Sequence, residues 1–334
     1  MLLRDDPGVR WLLQSNDPSI RYLTLTEVLG RPPDGLTASA ERARILPGPR
    51  VRALLSGQHP DGSFGNHPYS KWTGAHWRLV SLVELCIPPG EPRAMAALEN
   101  VLGWVAGPGR WKGRPPVNGR FRRCASQEGN ALAVACRLGA SNDQRVALIA
   151  ERLAMWQWPD GGWNCDRKPD ATHSSVNETL APVWGLVEHH RATGEPRSKE
   201  AADRAAEFFL RHRVFLSERT GRPLHPSVVQ FHYPLYWHVD ALQTLLILGR
   251  AGRLDDERCA DALDLVEQKR LPDGKWAARA PYWGLVGQRR SLVDVVDWGR
   301  SGPNEMVTLN ALRVLAGAGR LGGRARSPLA ASRA

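Results

Sequence analysis

Residues 155–170 read MWQWPDGGWNCDRKPD, three tryptophans framing a Pro-Asp-Gly-Gly turn that runs at once into Cys165, Asp166, Arg167 and Lys168. The same frame, Pro-Asp-Gly-x-aromatic, returns in QHPDGSFGNHP (58–68) and in KRLPDGKWAAR (269–279). Asp61, Asp160 and Asp273 stand about 100 residues apart, twice what a helix-pair repeat needs. Degenerate copies fill the gaps: VNGRFRRC keeps Gly119 and an aromatic, and TGRPLHPSVV keeps Gly221 and proline.

The segments after these turns have helical period. Val176, Leu180, Val183, Trp184 and Val187 fall on one face of SSVNETLAPVWGLVEHH. GAHWRLVSLVELC from Gly74, SQEGNALAVACRLG from Ser126 and YWHVDALQTLLILGR from Tyr236 follow suit, each preceded by a more polar helical run such as NDQRVALIAERLAMWQ. The chain ends match as well: PSIRYLTLTEVLG (18–30) and PNEMVTLNALRVLAG (303–317) share Pro, Thr, Leu, Val and Leu in the same order. The expectation is an all-α protein whose unit is an outer amphipathic helix, a glycine turn and an apolar inner helix. Six such inner helices with like ends favour closure of the array over an open superhelix. In the turn, Pro stops the outer helix, Asp bonds forward to backbone N–H groups and Gly supplies positive φ. Gln58 and Gln157, just before, are placed to bond the neighbouring unit.

Composition sets wide bounds. The 334 residues carry a formal charge of +11 and five scattered cysteines without CxxC spacing, which argues for reduced thiols. No apolar run approaches the roughly 18 to 20 residues of a membrane span, and the N-terminus has no signal-peptide pattern, so the expected location is the cytoplasm. The charge suits an anionic partner or merely an arginine-rich composition.

QHPDGSF, and QWPDGGW with Gln157, resemble the repeat of the prenyltransferase and squalene-cyclase superfamily, and the resemblance spans essentially the whole chain. It implies a single α/α toroid domain over residues 1–320, six inner helices lining a cavity inside six outer ones, with 321–334 a disordered basic tail. It also implies an isoprenoid-handling enzyme, terpene cyclase-like or prenyltransferase-like, with a small hydrophobic or diphosphate-bearing substrate.

The chemical motifs of that family are matched unevenly. A cyclase needs a protonated carboxylic acid and aromatic faces for carbocations, but the DxDD and DCTA-type elements are absent. Asp240, in WHVDALQT, is the substitute acid, with His238 its partner and Glu178 a second carboxylate. Trp77, Trp184, Trp237 and Trp283 are the tryptophans expected to face inward, and His76, Arg78, Asn130, Asn177 and Tyr236 the polar contacts near them. A transferase binds zinc through Asp, Cys and His, yet the matching place here reads DATHSSV. A different set, Cys124, Cys165 and His232, remains for zinc at the mouth. Arg167 and Lys168 fall close to the family's diphosphate-binding bases, and GRWKGRPPVNGRFRRC adds Arg110, Lys112, Arg114, Arg120, Arg122 and Arg123. Alternatives from other classes are a non-catalytic toroid scaffold for a lipid, peptide or protein, a polysaccharide lyase-like toroid using His232, Tyr233, Tyr236 and His238, and a nucleic-acid-binding helical repeat.

Overall fold

The structure, a computed structural model, describes residues 3–110, 115–279, 281–287 and 292–321. The tail expected at 321–334 lies outside these residues apart from Leu321, as do Lys112 and Arg114. The protein is mostly helical. Thirteen α-helices occur among the described residues: α1 Pro7–Leu13, α2 Pro18–Leu23 (running on as a π-helical turn, Thr24–Val28), α3 Leu36–Ala43, α4 Pro49–Leu55, α5 Ala75–Glu84, α6 Pro92–Val105, α7 Ala125–Arg137, α8 Gln144–Trp156, α9 Val176–Thr193, α10 Pro196–Arg211, α11 Ala241–Arg250, α12 Ala260–Gln268 and α13 Glu305–Gly317. No helix among them is long and apolar enough to cross a membrane.

Local chemistry explains where the helices start. Proline occupies the first turn of α1, α2, α4, α6 and α10, where its missing N–H costs nothing. Carboxylates of Asp6, Asp17, Glu91, Asp143 and Glu195 accept the orphan amides of α1, α2, α6, α8 and α10. Two expectations change. The fifth inner helix begins at Ala241, not Tyr236, because Tyr236 takes a φ of 58° and Asp240 caps the helix. The chain is also not wholly helical: the long link before α13 pairs β1 (Ala277–Ala278) antiparallel with β4 (Gly302–Pro303), and β2 (Gly284–Leu285) parallel with β3 (Val293–Asp294). Extended backbone that long must bond somewhere, and it bonds to itself.

The Pro-Asp-Gly corners share one set of bonds. Gln58 Nε2 donates to Gly62 O (3.1 Å) and Arg93 O (2.8 Å), and Gln157 Nε2 to Gly161 O (2.7 Å) and Ala201 O (2.8 Å), so each corner is tied to the next outer helix. The corner indoles point back: Trp163 Nε1 donates to Leu153 O and Trp276 Nε1 to Val266 O. Their amides reach forward to Thr179 Oγ1 and Thr308 Oγ1 on the following inner helices. Gly161, at φ 97°, lies so close to Arg204 O that a Cβ would stand 2.4 Å from it. Asp160 departs from the pattern of Asp61 and Asp273. It accepts from the amide (2.7 Å) and hydroxyl (2.5 Å) of Ser174, closing the loop 164–173.

Buried apolar side chains form one contiguous core from Val9 to Leu315. Within it α5 packs on α7, α7 on α9, α9 on α11, α11 on α13, and α13 on α2. Tyr22 of α2 and Val83 of α5 border a common pocket, which brings the first inner helix beside the second. Helix α6 packs on α5 and α7, α8 on α7 and α9, and α12 on α11 and α13, while α10 packs on α9 and α8. At the far ends of the inner helices sit Arg137 and Arg250, where the helix dipole favours cations. Arg313 lies a turn earlier in α13 and pairs with Glu27 at 2.8 Å, and Arg137 with Glu188 at 3.4 Å.

The most extensive helix contact is that of α7 with α9. It is a backbone approach: a Cβ on Gly129 would stand 2.3 Å from Pro182 N, and one on Gly185 would stand 2.4 Å from Gly129 O. Gly129→Ala is therefore expected to force the helices apart at a cost of about 1–3 kcal/mol. The control Gly103→Ala on exposed α6, where a Cβ meets nothing within 4 Å, is expected to stabilise by about 0.5–1 kcal/mol. Urea unfolding of the two variants checks both signs.

Candidate functional site

Helices α5, α7, α9 and α11, with the segment 234–239 across them, enclose a cavity lined by Trp77, Asn130, Asn177, Trp184, Trp237 and His238 among others. Its empty space is about 570 Å³ with the open mouth included. The part free for the centres of ligand atoms is far smaller, so a fitting occupant is a slim chain or a small ring. Four buried polar atoms of its lining residues, Trp77 Nε1, Asn130 Nδ2, Trp237 Nε1 and Gln243 Oε1, have no partner among the described residues.

Aromatic rings fill the space beside it. Trp72 stacks on Tyr236 with centroids 3.6 Å apart, and His238 lies between Trp237 (3.8 Å) and Tyr282 (3.2 Å). The Tyr236 hydroxyl donates to the buried Asp294 carboxyl. The Tyr233 hydroxyl donates to Glu84 at 2.9 Å. Burial keeps His238 neutral by pushing it down to about 4.

A polar cluster borders the cavity through Ser126 and Asn177. Cys124, just before α7, and Cys165 and Glu178, before and within the first turn of α9, bring Sγ, Sγ and a carboxylate oxygen within 4.8 Å of one another. Cys165 Sγ donates to Glu178 Oε1 at 3.3 Å, and the Ser126 amide donates to Glu178 Oε2 at 3.0 Å. The two thiol segments are held in register by Arg123 N donating to Asn164 O (3.1 Å), while Asn164 Nδ2 donates to His173 O (2.8 Å). Arg110 pairs with Glu128 at 2.8 Å and also donates to Gln127. Tyr69, bonded to Gln127, is pushed up to about 12 by burial. Burial raises Glu178 and Glu128 despite their hydrogen bonds. Cys165 is raised first by its hydrogen bond with Cys124, then by burial and the Glu178 charge.

The other expected site residues fall as follows. Asp240 is the cap of α11, accepting from Gln243 N (2.8 Å) and His232 N (3.1 Å) with His232 Nδ1 3.3 Å away, so it is not inside an inner helix. His232 does not fall in the group formed by Cys124, Cys165 and Glu178, and Glu178 lies in the first turn of α9. The Arg78 guanidinium is spent on the carbonyls of Thr73 (2.7 Å), Leu54 and Ser56 (2.9 Å each), not on an anion. Trp283 is buried outside the cavity with Nε1 on Tyr233 O (3.0 Å), and Tyr236 lines the cavity. Arg167 and Lys168 are solvent-exposed on the 164–173 loop. Arg120 and Arg122 lie over the Trp158 ring, at 5.6 and 4.4 Å, and Arg123 over Trp156 at 5.1 Å. Tyr69 and Glu84 were not anticipated. Glu84 had a visible signal as the lone acid in the apolar run LVSLVELC, whereas Tyr69 sits in a turn with no period to mark it.

No protein-family model and no curated sequence matches the chain. Among solved structures, a protein from Actinoplanes is 17% identical, with a TM-score of 0.46 over 95% of this chain and 98% of that one. The type II terpene cyclase MstE from Scytonema is 15% identical, with a TM-score of 0.26 over 80% of this chain and 94% of that one. A variant of that cyclase in complex with its substrate geranylgeranyl dihydroxybenzoate is 15% identical, with a TM-score of 0.26 over 90% of this chain and 97% of that one. Overlaps this loose add nothing to what the site's own geometry says.

His76 is packed against Trp77 (4.7 Å), Tyr69 (5.6 Å) and Trp104 (5.8 Å), and burial pushes it down to about 3. Below its unfolded value near 6.5 the unfolded chain binds the extra proton, so the stability tied to neutral His76 is full above that pH and is lost as pH falls. The unfolding free energy of wild type minus that of His76→Phe is expected to be flat above pH 7. Below pH 6 it should fall by up to about 1.4 kcal/mol per pH unit. Urea midpoints across pH 5–8 test this.

Proposed function

We propose that residues 1–320 form a single six-fold α/α toroid of the prenyltransferase and squalene-cyclase type, acting as an enzyme on a small apolar, isoprenoid-like substrate. Support for the closed ring comes from the order in which α2, α5, α7, α9, α11 and α13 neighbour one another. Support for the enzyme comes from one conjunction: an aromatic cavity with a half-buried carboxyl, Glu178, at its edge between two thiols.

The chemistry is assigned to the Glu178 end. A carboxyl raised by burial holds a proton that can be passed into the cavity. The faces of Trp77, Trp184 and Trp237 suit a developing cation. Asn130, Asn177 and Gln243 offer polar atoms to orient a head group. Neutral His238 is suited to accept a proton at the opposite wall. Asp240 is not assigned that role, since its carboxylate already accepts from two backbone amides. A diphosphate head group draws support only from exposed Arg167 and Lys168, since Arg110 is paired with Glu128.

The test is incubation of the purified protein with short prenyl alcohols, aryl-prenyl compounds and prenyl diphosphates, with products read by mass spectrometry. Wild type is expected to convert at least one class, and Glu178→Gln to lower kcat by about 10²–10⁴. Arg167→Ala with Lys168→Ala should raise KM only for a diphosphate. Tight binding without turnover in wild type would overturn the enzyme and leave a lipid-binding scaffold.

A further inference from the structure

We propose that Cys124, Cys165 and Glu178 are the protein ligands of a thiophilic divalent cation, zinc or its like. The inference deepens the reading above by placing an ion at the catalytic end of the cavity, and its test does not depend on turnover.

Three features carry it. The first is geometry. Ligands of a tetrahedral ion with Zn–S near 2.3 Å and Zn–O near 2.0 Å lie about 3.5–3.8 Å apart. The three donor atoms here already lie within 4.8 Å of one another, with Cys165 Sγ 3.3 Å from Glu178 Oε1. A contraction of at most about 1.3 Å would close the set. The second feature is donor chemistry: two thiols select a soft or borderline ion, and a single carboxylate is tolerated beside them. The third is the support around the ligands. Glu178 Oε2 is fixed by the Ser126 amide (3.0 Å), the Cys124 segment is anchored to the Cys165 loop through Arg123 N and Asn164 O (3.1 Å), and Arg110 stands in the same cluster to offset the negative charge of two thiolates and a carboxylate. Outer contacts of this kind set ligand orientation in metal sites.

The set differs from a zinc finger in having three protein donors, which leaves a coordination position open. Ser126 and Asn177, flanking Cys124 and Glu178 in sequence, both line the cavity, so the open position is assigned to that side. A bound ion there would polarise a substrate oxygen or hold a reactive thiolate or hydroxide. Glu178 would then serve as a ligand, and proton delivery would pass to ion-bound water. His232 has no part in the set, since it is not among the donors that lie within 4.8 Å of one another.

The experiment uses the full chain, stripped with a chelator and then titrated with Co(II). A thiolate-to-cobalt charge-transfer band saturating at one ion per chain is expected. It should be lost, with at least about 100-fold weaker binding, in Cys124→Ser and Cys165→Ser, and kept in the control Cys136→Ser. Zinc should protect Cys124 and Cys165, but not Cys86, from alkylation mapped by mass spectrometry. This arm needs no variant and stands even if one fails to fold. Absence of the band together with equal alkylation in the presence and absence of zinc would overturn the proposal, as would a Cys124–Cys165 disulfide in the freshly purified reduced protein. Metal without turnover would sink the enzyme and keep the ion site. Turnover that survives complete metal removal would leave the ion site to the cobalt and alkylation results and take the ion out of the reaction.

Discussion

The backbone contact of α7 with α9 is the constraint on which the site depends. Gly129 and Gly185 remove the side chains that would hold the helices apart, and Pro182 presents its nitrogen where a Cβ would otherwise stand. Because the helices meet so closely, their leading segments arrive side by side, and residues 41 positions apart in the chain, Cys124 and Cys165, come into contact. Close packing leaves little slack to move one helix without the other. The cluster with Arg110, Gln127 and Tyr69 inherits that rigidity. Function placed at such an edge is positioned by architecture rather than by loop conformation.

Much of the architecture was legible in the corners. A Pro-Asp-Gly-aromatic frame has few physical solutions, and Gln58 and Gln157 bond the neighbouring outer helices as their positions suggested. Period marked α2, α5, α7, α9, α11 and α13 as helices. What it missed was the fifth helix's first turn and the link before α13. In YWHVDALQT the apolar spacing continues through Tyr236, but a capping aspartate and a left-handed residue override it. Hydrophobic pattern does not register either.

The candidate site was legible by residue type and not by assembly. Cys124, Cys165 and Glu178 were each visible, the first two as thiols next to turns and the third as an acid in a helix's first turn. Their meeting depends on which of two neighbouring helices leads, and on the closure of the 164–173 loop by Asp160 and Asn164. Asp240 misled because an acid before an apolar run looks the same whether it caps the helix or faces a cavity. The basic residues misled for a related reason. Arginine over a tryptophan face, as Arg122 over Trp158, is a structural use of charge that composition cannot separate from a binding patch.

The late start of α11 has a consequence for how such a molecule diversifies. Equivalent helix pairs repeat around the core, and each inner helix is a variation on one theme, yet the segment 231–240 breaks the pattern and threads its aromatic side chains into the centre. Lengthening or shortening that one stretch would reset the volume at the core while leaving every corner bond and the α7–α9 contact untouched. Control of the cavity's volume is thereby concentrated in a single stretch, apart from the segments that hold Cys124, Cys165 and Glu178 together.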